Sequence, residues 1–388
     1  MPLSVLILAA GKGTRMNSNY PKVLHNVGNI PMIYYSIDLA QKLNATNIGV
    51  VISENAVEIR NFIKRLSKKI DLIVQSKQLG TGHAILSAKK FEKKIGDVII
   101  LYGDCPLISI DSLNNLITAR KKGADLAVLG FFADNPKQYG RLAVDENNNL
   151  KKIIEFKDAT KDELGIKLCN SGVMIANNRI LFSLLNQIRN NNSAQEFYLT
   201  DIVHNANKEG LNVQYVNCSE FEAQGVNNRM DLSEVENQFQ VNKRIEALSN
   251  GVTLKDPSST YFSYDTEIGK DTIIEPNVTF GTGVKIKNDV VVKSFSYLEG
   301  CEVNSNVTLG PFARIRPKTI LDEGVKVGNF VEIKQSNLSQ NVKVNHLAYI
   351  GDGKIGKNSN IGAGTIFCNY DGFSKNEITI SNDTFVGS

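Results

Sequence analysis

The 388-residue chain has no tryptophan, only four histidines and five cysteines, and no long apolar run. The five cysteines lie far apart and form no CxxC pair, which argues against a disulfide framework or a structural zinc site. No stretch of about 18 apolar residues is present, so no membrane span is expected. The first apolar run, residues 3–10, also lacks the basic segment that begins a signal peptide. These absences predict a protein of the reducing cytoplasm.

An excess of charge of one sign is missing as well. The 44 lysines and arginines nearly balance 40 acidic residues, and the small net charge of +4 is spread along the sequence. This balance predicts no nucleic-acid or membrane surface beyond local anion sites. At roughly 150 residues per domain, the length predicts two or three domains.

The first 250 residues alternate short apolar runs with amphipathic stretches, which predicts an α/β fold with parallel strands and helical crossovers. Strands are predicted at residues 4–10, 48–52, 72–75, 98–102 and 126–132. Helices are predicted at residues 32–43, 54–68, 83–90, 111–121 and 198–208.

A longer helix is predicted over residues 227–250, ended by Gly251. It is interpreted as a linker, which gives domain boundaries of 1–226, 227–250 and 251–388. Its apolar residues are predicted to lie near one face: Leu232, Val235, Phe239, Ile245 and Leu248.

The region after the linker has a six-residue period, which neither a helix nor an ordinary strand shows. Large apolar residues recur at this spacing, with one-residue slips after Leu298, Ile333 and Ile350. The period is typical of a β-solenoid with triangular coils of about 18 residues. The predicted inward residues are Ile268, Ile274, Phe280, Ile286, Val292, Leu298, Val303, Leu309, Ile315, Leu321, Val327, Ile333, Leu338, Val344, Ile350, Ile355, Ile361 and Phe367.

The period breaks once near the end of the chain. Residues 369–376 are too many for a corner and are predicted to loop out before the period resumes at Ile380 and Val386. A solenoid normally finishes with a capping element, because an open end exposes its apolar cross-section. No cap follows before Ser388, so we expect either that the sequence is cut short or that something else covers the end.

A glycine-rich, basic segment directly follows the first strand. Glycines in the run Leu8–Met16 let backbone N–H groups approach a phosphate, and Lys12, Arg15 and Lys22 supply positive charge. The spacing matches neither a Walker motif nor GxGxxG, and alone it also fits an ordinary turn. Asp104 ends another predicted strand, where a carboxylate can hold Mg²⁺ against phosphates.

Several motifs, taken together, resemble those of the nucleotide-sugar pyrophosphorylases. They are LAAGKGTRM with Pro21-Lys22, Gln78–Ala84, Tyr102-Gly103-Asp104, Tyr139-Gly140-Arg141, Asn170-Ser171-Gly172 and Gly225–Arg229. With the solenoid behind them, the whole chain resembles the bifunctional bacterial family of N-acetylglucosamine-1-phosphate uridylyltransferases and glucosamine-1-phosphate N-acetyltransferases. This resemblance implies a Rossmann-like nucleotidyltransferase domain, a linker helix and a left-handed parallel β-helix of hexapeptide repeats.

For the first domain, the resemblance implies transfer of UMP from UTP to N-acetylglucosamine 1-phosphate, with release of pyrophosphate. Arg15 and Lys22 would act on the phosphates, and Asp104 and Asn227 would hold Mg²⁺. Gln75, Gly80 and Thr81 would read uracil, and Gly140, Glu155 and Asn170 the sugar. The remaining residues of this predicted site are Leu8, Ala9, Ala10, Gly11, Tyr102 and Gly103.

For the second domain, the resemblance implies acetylation of glucosamine 1-phosphate by acetyl-CoA in a homotrimer whose sites lie between neighbouring solenoids. His346, the one histidine of the solenoid, would be the base, since its ordinary pKa lies near neutrality. Arg316 and Lys334, 18 residues apart, would stack and, together with Tyr349, hold the sugar phosphate. The remaining residues implied for this site are Asn360, Ala363, Asn369, Tyr370 and Ser388.

Three other interpretations stay open at this level. The chain could be a monofunctional pyrophosphorylase whose solenoid only assembles it, as the missing end suggests. It could use another nucleotide, although His346 and the Asn369-Tyr370 pair argue against this. A binding protein without activity is the weakest alternative, because the phosphate and metal positions are filled.

Overall fold

The computed structural model describes residues 2–388 and divides into two compact units. The first unit takes the chain up to Val27 together with Pro31–Val235, and the second takes Gly28–Ile30 and Glu236–Ser388. The division falls inside the long helix, so the boundaries 1–226, 227–250 and 251–388 stay a prediction. Among the helices of residues 2–388, none combines the length and apolar character that crossing a membrane requires.

Each strand and helix predicted for the first unit is present, and further elements that were not predicted lie among them. The strands are β1 (Leu3–Leu8), β2 (Asn26–Val27), β3 (Ile30–Pro31), β4 (Asn47–Ser53), β5 (Asp71–Gln75), β6 (Asp97–Tyr102), β7 (Leu126–Phe132), β8 (Arg141–Val144), β9 (Leu150–Ile154), β10 (Leu168–Asn177) and β11 (Val213–Asn217). The helices are α1 (Ile33–Lys42), α2 (Val57–Leu66), α3 (Thr81–Leu86), α4 (Ile110–Lys121), α5 (Lys161–Leu164), α6 (Asn178–Leu185), α7 (Asp201–Lys208) and α8 (Arg229–Ser249).

The main sheet has the order β11-β7-β10-β6-β1-β4-β5, with β8 paired to β10 and β9 paired to β8. Residues of β1 alternate between the two apolar cores, with Leu6 on one face and Val5 and Ile7 on the other. Burial on both faces is what helical crossovers produce in a mostly parallel sheet. Leu8 pairs with Tyr102, so the chain leaves β1 and β6 side by side at the carboxyl edge.

Strand β10 breaks the parallel pattern and was not predicted. It runs antiparallel to both β6 and β7, and its pairing with β7 shifts between Asn170 and Met174. Asn170-Ser171-Gly172 interrupts the apolar run there, and Gly172 has a positive φ of 85°. A polar segment with a left-handed glycine resembles a turn in the sequence, whereas here it forms a bulge inside a strand.

Helix α8 has a shorter apolar face than predicted. Val235 and Phe239 are buried, but Ile245 and Leu248 are 57% and 45% exposed. The prediction of a single face is wrong beyond Phe239, because six residues advance a helix by about one and two-thirds turns, which separates Ile245 from Phe239 by about 120° around the axis. Ile245 therefore points away from the side that Phe239 occupies.

The second unit contains the three-sided parallel β-helix that the six-residue period predicts. Its strands form three ladders of eight, seven and five members, which we call the first, second and third faces. The first face contains β12 (Thr253–Leu254), β14 (Ile273–Ile274), β17 (Val291–Val292), β20 (Thr308–Leu309), β23 (Lys326–Asn329), β26 (Lys343–His346), β29 (Asn360–Ile361) and β31 (Phe385–Val386). The second contains β13 (Glu267–Ile268), β16 (Lys285–Ile286), β19 (Cys301–Val303), β22 (Thr319–Leu321), β25 (Asn337–Leu338), β28 (Gly353–Ile355) and β30 (Ile378–Ile380). The third contains β15 (Thr279–Phe280), β18 (Tyr297–Leu298), β21 (Arg314–Ile315), β24 (Glu332–Lys334) and β27 (Tyr349–Gly351).

The predicted inward residues form the solenoid core. Those from Ile274 to Phe367 are buried, while Ile268, Ile380 and Val386 pack against the core partly buried. Leu298 pairs with Ile315 and Ile315 with Ile333, so a coil takes 17 or 18 residues. The predicted one-residue slips are thus absorbed without loss of register.

The solenoid core has a second inward position in each hexad, which the sequence analysis missed. The residue two places before the large aliphatic one is also buried, as Val278, Ala313 and Ser359 show. These residues are small and chemically mixed, so no apolar period marks them. Their size fits the narrow corners, which a large side chain would overpack.

Candidate active sites

The first candidate site lies at the carboxyl edge of the main sheet, where an open α/β sheet binds its ligands. A cavity of about 410 Å³ opens there. The predicted residues that line it are Leu8, Ala9, Ala10, Gly11, Lys22, Gln75, Gly80, Thr81, Tyr102 and Asp104. Gly103 lies beside it and donates its N–H to the Leu8 carbonyl at 2.9 Å. Lining residues not assigned to the site from the sequence include Gln78 and Glu196.

A compact polar cluster occupies one side of this cavity. The Lys22 ammonium forms an ion pair with Asp104 and lies 3.4 Å from Asn227 Oδ1. Arg15 Nη2 donates to the same Asn227 oxygen at 3.0 Å. Two cationic side chains and two side chains with acceptor oxygens therefore meet at one point, although they come from three distant parts of the sequence.

Local backbone contacts hold this cluster together. The Val226 N–H donates to the Asp104 carbonyl at 2.9 Å, and the Asn227 N–H donates to Asp231 at 2.8 Å. Gly13 has a positive φ of 63°, and a Cβ there would lie 2.7 Å from the Lys22 Cβ. The glycine therefore lets the basic loop close against Lys22.

The donor set of the cluster fits a divalent cation. The carboxylate of Asp104 and the amide oxygen of Asn227 already share one cationic group, Lys22. Oxygen donors of this kind suit Mg²⁺, which keeps water and phosphate oxygens for its other positions. Residues 2–388 contain no group of three or more His, Cys, Asp or Glu side chains placed to hold a metal. A metal at this point would therefore depend on these two residues and on its bound substrate.

The predicted uracil-reading residues meet at the start of α3. Gln75 is 3% exposed, and its Nε2 lies 3.3 Å from the Gly80 carbonyl and 3.2 Å from His83 Nδ1. Gln78 Nε2 donates to the Ala10 carbonyl, which ties this loop to the glycine-rich segment. The amide of Gln75 is thereby fixed at the cavity wall.

The predicted sugar-reading residues meet through strand pairing. Arg141 pairs with Ile154 on one side and with Cys169 on the other, so Gly140 is flanked by Glu155 and Asn170. The Asn170 N–H donates to the Gly140 carbonyl at 2.9 Å. Glu155 accepts a hydrogen bond of 2.8 Å from Thr200, and burial raises the pKa of this carboxyl.

Tyr102 links the two parts of this site. Its ring packs on Gly172, where a Cβ would lie 2.6 Å from the ring. Burial raises the pKa of the Tyr102 phenol, with a smaller contribution from the charge of Glu155. The uncharged Tyr102 side chain therefore separates the cavity from the segment that contains Asn170.

The second candidate site lies on the β-helix around β27. His346 ends β26, is exposed, and has its Nδ1 3.1 Å from Asn329 Oδ1. Tyr349 begins β27, and Gly351 at its other end pairs with Lys334. His346 and Tyr349 thus lie before and at the start of this short strand, and Lys334 lies beside its end.

A cluster of cations marks the far end of that strand. Arg316 Nη1 bonds Glu332 at 2.7 Å, which turns the guanidinium toward the third face. The adjacent Lys375 amine, and less strongly desolvation and the charge of Arg316, lower the pKa of Lys334. Lys375 was missed by the sequence analysis, although it lies in the segment predicted to loop out. Arg316, Lys334 and Lys375 therefore lie together with the two acids Glu332 and Asp352, which leaves an excess of positive charge here.

The looped segment is anchored by one of the predicted site residues. Asn369 is buried and donates its side-chain amide to Asp352, while Tyr370 is exposed with its hydroxyl bonded to the Gly372 carbonyl at 2.7 Å. Asn360 begins β29 partly buried, and Ala363 and Ser388 are exposed. Ile361 pairs with Val386, which confirms that the segment between them leaves the coil.

An exposed apolar ridge lies beside His346. We define the phenylalanine ridge as Phe295, Phe312, Phe330 and Leu347, which are 46–61% exposed. The three rings stack with centroids 5.0 and 5.2 Å apart. All four residues have positive φ of 45–60°, a conformation that costs L-residues about 1–2 kcal/mol each. The stacked rings form a contiguous exposed apolar surface on the β-helix.

Comparison with known proteins gives matches for both units. Residues 5–157 match the MobA-like NTP transferase domain, and residues 265–300 match six repeats of the bacterial transferase hexapeptide. These matches confirm the predicted fold class: a Rossmann-like nucleotidyltransferase domain followed by a left-handed β-helix of hexapeptide repeats.

Similar proteins cover the chain from end to end. The bifunctional protein GlmU of Zymomonas mobilis is 43% identical over all of this chain and 87% of its own length. Those of Bartonella quintana and Ruegeria are 44% and 46% identical and are each covered over 86% of their length. A crystal structure of a putative glucose-1-phosphate thymidylyltransferase from Bacillus anthracis, in complex with a sucrose, aligns with a TM-score of 0.51 at 20% identity. That alignment covers 61% of this chain and 94% of the other, and it shows a shared fold only.

Proposed function

The chain belongs to the GlmU family of bifunctional proteins, and on this basis we propose two transfer reactions, one for each unit. The first unit transfers UMP from UTP to N-acetylglucosamine 1-phosphate, giving UDP-N-acetylglucosamine and pyrophosphate. The second transfers acetyl from acetyl-CoA to the amine of glucosamine 1-phosphate. The product of the second reaction is then the substrate of the first.

The observation that carries the first activity is the cluster of Arg15, Lys22, Asp104 and Asn227 beside a glycine-rich loop. A phosphate oxygen of the sugar phosphate attacks the α-phosphorus of UTP, and the bond to the bridging oxygen of pyrophosphate breaks. Both reactants are polyanions, so positioning and positive charge lower the barrier. Lys22 and Arg15 supply that charge, and the loop from Leu8 to Gly11 supplies backbone N–H groups.

Asp104 and Asn227 would hold Mg²⁺ in this reaction. The ion would neutralise charge on the triphosphate and help to fix its geometry. The contacts of Lys22 with both residues place a cationic side chain at the same point. We infer that Lys22 leaves these oxygens when the metal and triphosphate bind, and then contacts a phosphate.

The remaining residues of the first unit select the substrates. The fixed amide of Gln75 and the backbone around Gly80 can form directional hydrogen bonds with a pyrimidine edge. Glu155 and Asn170 flank Gly140 on the two neighbouring strands. The glycine backbone, an amide and a carboxylate suit a ring that carries many hydroxyl groups.

In the second unit, His346 would take a proton from the ammonium of glucosamine 1-phosphate. The free amine then attacks the thioester carbon, and the carbon–sulfur bond breaks to release CoA as its thiol. The hydrogen bond with Asn329 fixes the ring so that its other nitrogen is directed outward. Arg316, Lys334 and Lys375 would hold the phosphate at the far end of β27.

Lys375 provides a test of this phosphate site. Lys375→Ala should raise the KM for glucosamine 1-phosphate about tenfold, because one charge-assisted contact with phosphate is lost. It should leave kcat and the KM for acetyl-CoA nearly unchanged. Lys285→Ala, which removes an exposed lysine from the second face, is the matched control. Equal effects of the two substitutions would contradict the assignment.

We also propose that the chain assembles as a homotrimer through the phenylalanine ridge. Three stacked rings held in a costly backbone conformation would be stabilised by burial against a second copy. His346 precedes Leu347 of the ridge, so the neighbouring copy would cover the side of the acetyl site.

A charge placed in the ridge tests the assembly. Phe312→Asp should convert the trimer to a monomer in light scattering coupled to size-exclusion chromatography. Thiol release from acetyl-CoA should fall more than about tenfold with it, since a buried unpaired charge costs several kcal/mol. Phe221→Asp, at an exposed aromatic residue of the first unit, should change neither. A trimer that survives Phe312→Asp would place the interface elsewhere.

The proposed nucleotide specificity is tested by a substrate panel. The chain is assayed for pyrophosphate release from UTP, dTTP and ATP, each with N-acetylglucosamine 1-phosphate and with glucose 1-phosphate. We expect UTP with N-acetylglucosamine 1-phosphate to give the highest kcat/KM. A preference for dTTP or ATP would instead support a pyrophosphorylase for another nucleotide.

A further inference from the structure

A short segment between α6 and α7 lies between the two substrate-reading parts of the first site. We call residues 196–200 the crossbar. The Phe197 N–H donates to the Leu79 carbonyl at 2.8 Å, and the Gly82 N–H donates to the Phe197 carbonyl at 2.8 Å. The Leu199 N–H donates to Thr81 Oγ1 at 3.1 Å. The crossbar is therefore bonded along its length to the loop that contains Gly80 and Thr81.

This contact explains two glycines of the motif around Thr81. A Cβ at Gly80 would lie 2.6 Å from the Phe197 carbonyl oxygen, and one at Gly82 would lie 2.9 Å from it. Gly80 also has a positive φ of 109°. Both glycines let the crossbar approach the loop closely. Glycine is therefore needed at these two positions for packing, and not only to leave space for a ligand.

The other end of the crossbar contacts the sugar-reading carboxylate. Thr200 Oγ1 donates to Glu155 Oε1 at 2.8 Å, and Thr200 is 7% exposed. Burial raises the pKa of Glu155, and the Thr200 hydrogen bond opposes that rise. The Thr200 hydroxyl is thus a fixed donor to a carboxylate that has lost much of its solvent.

Other ionisable groups around Glu155 shift its pKa in the direction opposite to that of the Thr200 hydrogen bond. Negative charge on neighbouring carboxylates raises the pKa of Glu155 further, because like charges disfavour ionisation. The titratable groups that face it are Asp158 after β9, Asp201 at the start of α7, Glu196 and Tyr198 on the crossbar, and Tyr102 at the end of β6.

We propose that Thr200 is a positioning residue that aims the Glu155 carboxyl group as the acceptor for hydroxyl groups of the hexose 1-phosphate. The inference rests on the uridylyl-transfer function proposed above for this site. An ionised carboxylate accepts hydrogen bonds at both oxygens, whereas a protonated carboxyl uses one oxygen as a donor. Through the crossbar, the same segment that contacts the base-reading loop also orients the sugar-reading carboxyl group.

The test compares Thr200→Val with Thr200→Ser. Valine keeps the shape and removes the donor, while serine keeps the donor. We expect Thr200→Val to raise the KM for N-acetylglucosamine 1-phosphate about tenfold near neutral pH, from loss of a hydrogen bond to a charged group. The KM for UTP should change less than about twofold, because Glu155 does not line the nucleotide cavity. Thr200→Ser should restore the wild-type KM.

The pH dependence separates this role from simple structural damage. Without the Thr200 donor, the pKa of Glu155 rises, so its carboxylate is lost at a higher pH than in wild type. The KM for the sugar phosphate should therefore begin to rise at higher pH in Thr200→Val as the solution is acidified, and the UTP profile should not move. Equal increases in both KM values, or failure of serine to rescue, would overturn the inference.

An NMR titration that requires no enzymatic turnover tests the role of Thr200 independently of the proposed function. The ¹³C resonance of the Glu155 carboxyl group, assigned by its absence in Glu155→Gln, is titrated in wild type and in Thr200→Val. We expect the midpoint to lie at higher pH in Thr200→Val, whatever substrate the protein uses. An unchanged midpoint would overturn the role of Thr200 even if uridylyl transfer is confirmed. A shifted midpoint in a protein that releases no pyrophosphate would instead contradict the proposed function.

Discussion

Replacement of Asp104 by asparagine is expected to slow pyrophosphate release about 10²- to 10³-fold and to leave acetyl transfer unchanged. Asparagine keeps the size of the side chain but removes the negative charge that a divalent cation needs. It also removes the charge partner of Lys22, which is otherwise held next to Asn227. The measurement is the initial rate of pyrophosphate release at saturating UTP, with thiol release from acetyl-CoA followed in parallel.

The matched control for Asp104→Asn is Asp162→Asn, which changes an exposed acid on α5. It should be indistinguishable from wild type in both assays. Added Mg²⁺ should rescue Asp104→Asn only in part, because Asn227 remains as a weaker ligand. Full activity of Asp104→Asn at ordinary Mg²⁺ would remove Asp104 from the metal site.

Replacement of His346 by alanine is expected to slow thiol release about 10²- to 10⁴-fold, the range that a general base contributes. Pyrophosphate release should be unchanged, because His346 lies in the β-helix unit and the cluster around Lys22 lies in the other unit. The rate should be measured with glucosamine 1-phosphate and acetyl-CoA and compared over pH. The variant should recover some rate at high pH, where more of the substrate amine is unprotonated.

His204→Ala is the control for the second prediction, since His204 is an exposed histidine on α7. It should leave both activities intact. If His346→Ala lost both activities while remaining folded, the two sites would not be independent. If it lost neither, the solenoid would serve assembly only, as in the monofunctional interpretation of the sequence.

The features that the sequence predicts best are those set by a local period. The six-residue repeat predicts the core from Ile274 to Phe367 because every coil repeats the same short-range requirement. The apolar runs of β1, β4, β5, β6 and β7 predict their strands to within about two residues. The failures come where the period is interrupted. The bulge in β10 looks like a turn, and the two halves of α8 present different faces.

The residues of the candidate sites likewise differ in how far the sequence predicts them. Residues within a recognisable motif, such as Lys22 and Asp104, are placed by the resemblance and lie together in the structure. Lys375 and Thr200 belong to no such motif. Each contacts a residue distant in the sequence, Lys334 for one and Glu155 for the other. A single sequence has no pattern that records such contacts, so only the folded chain shows them.

The central claim is that one chain contains two chemically independent active sites, and chelation of divalent metal tests it most directly. A single preparation is assayed for pyrophosphate release from UTP and N-acetylglucosamine 1-phosphate and for thiol release from acetyl-CoA and glucosamine 1-phosphate, with Mg²⁺ and with excess EDTA. We predict both activities with Mg²⁺, and with EDTA only thiol release, because Asp104 and Asn227 serve the first site alone. Loss of both activities on chelation, or pyrophosphate release that persists in EDTA, would contradict the claim.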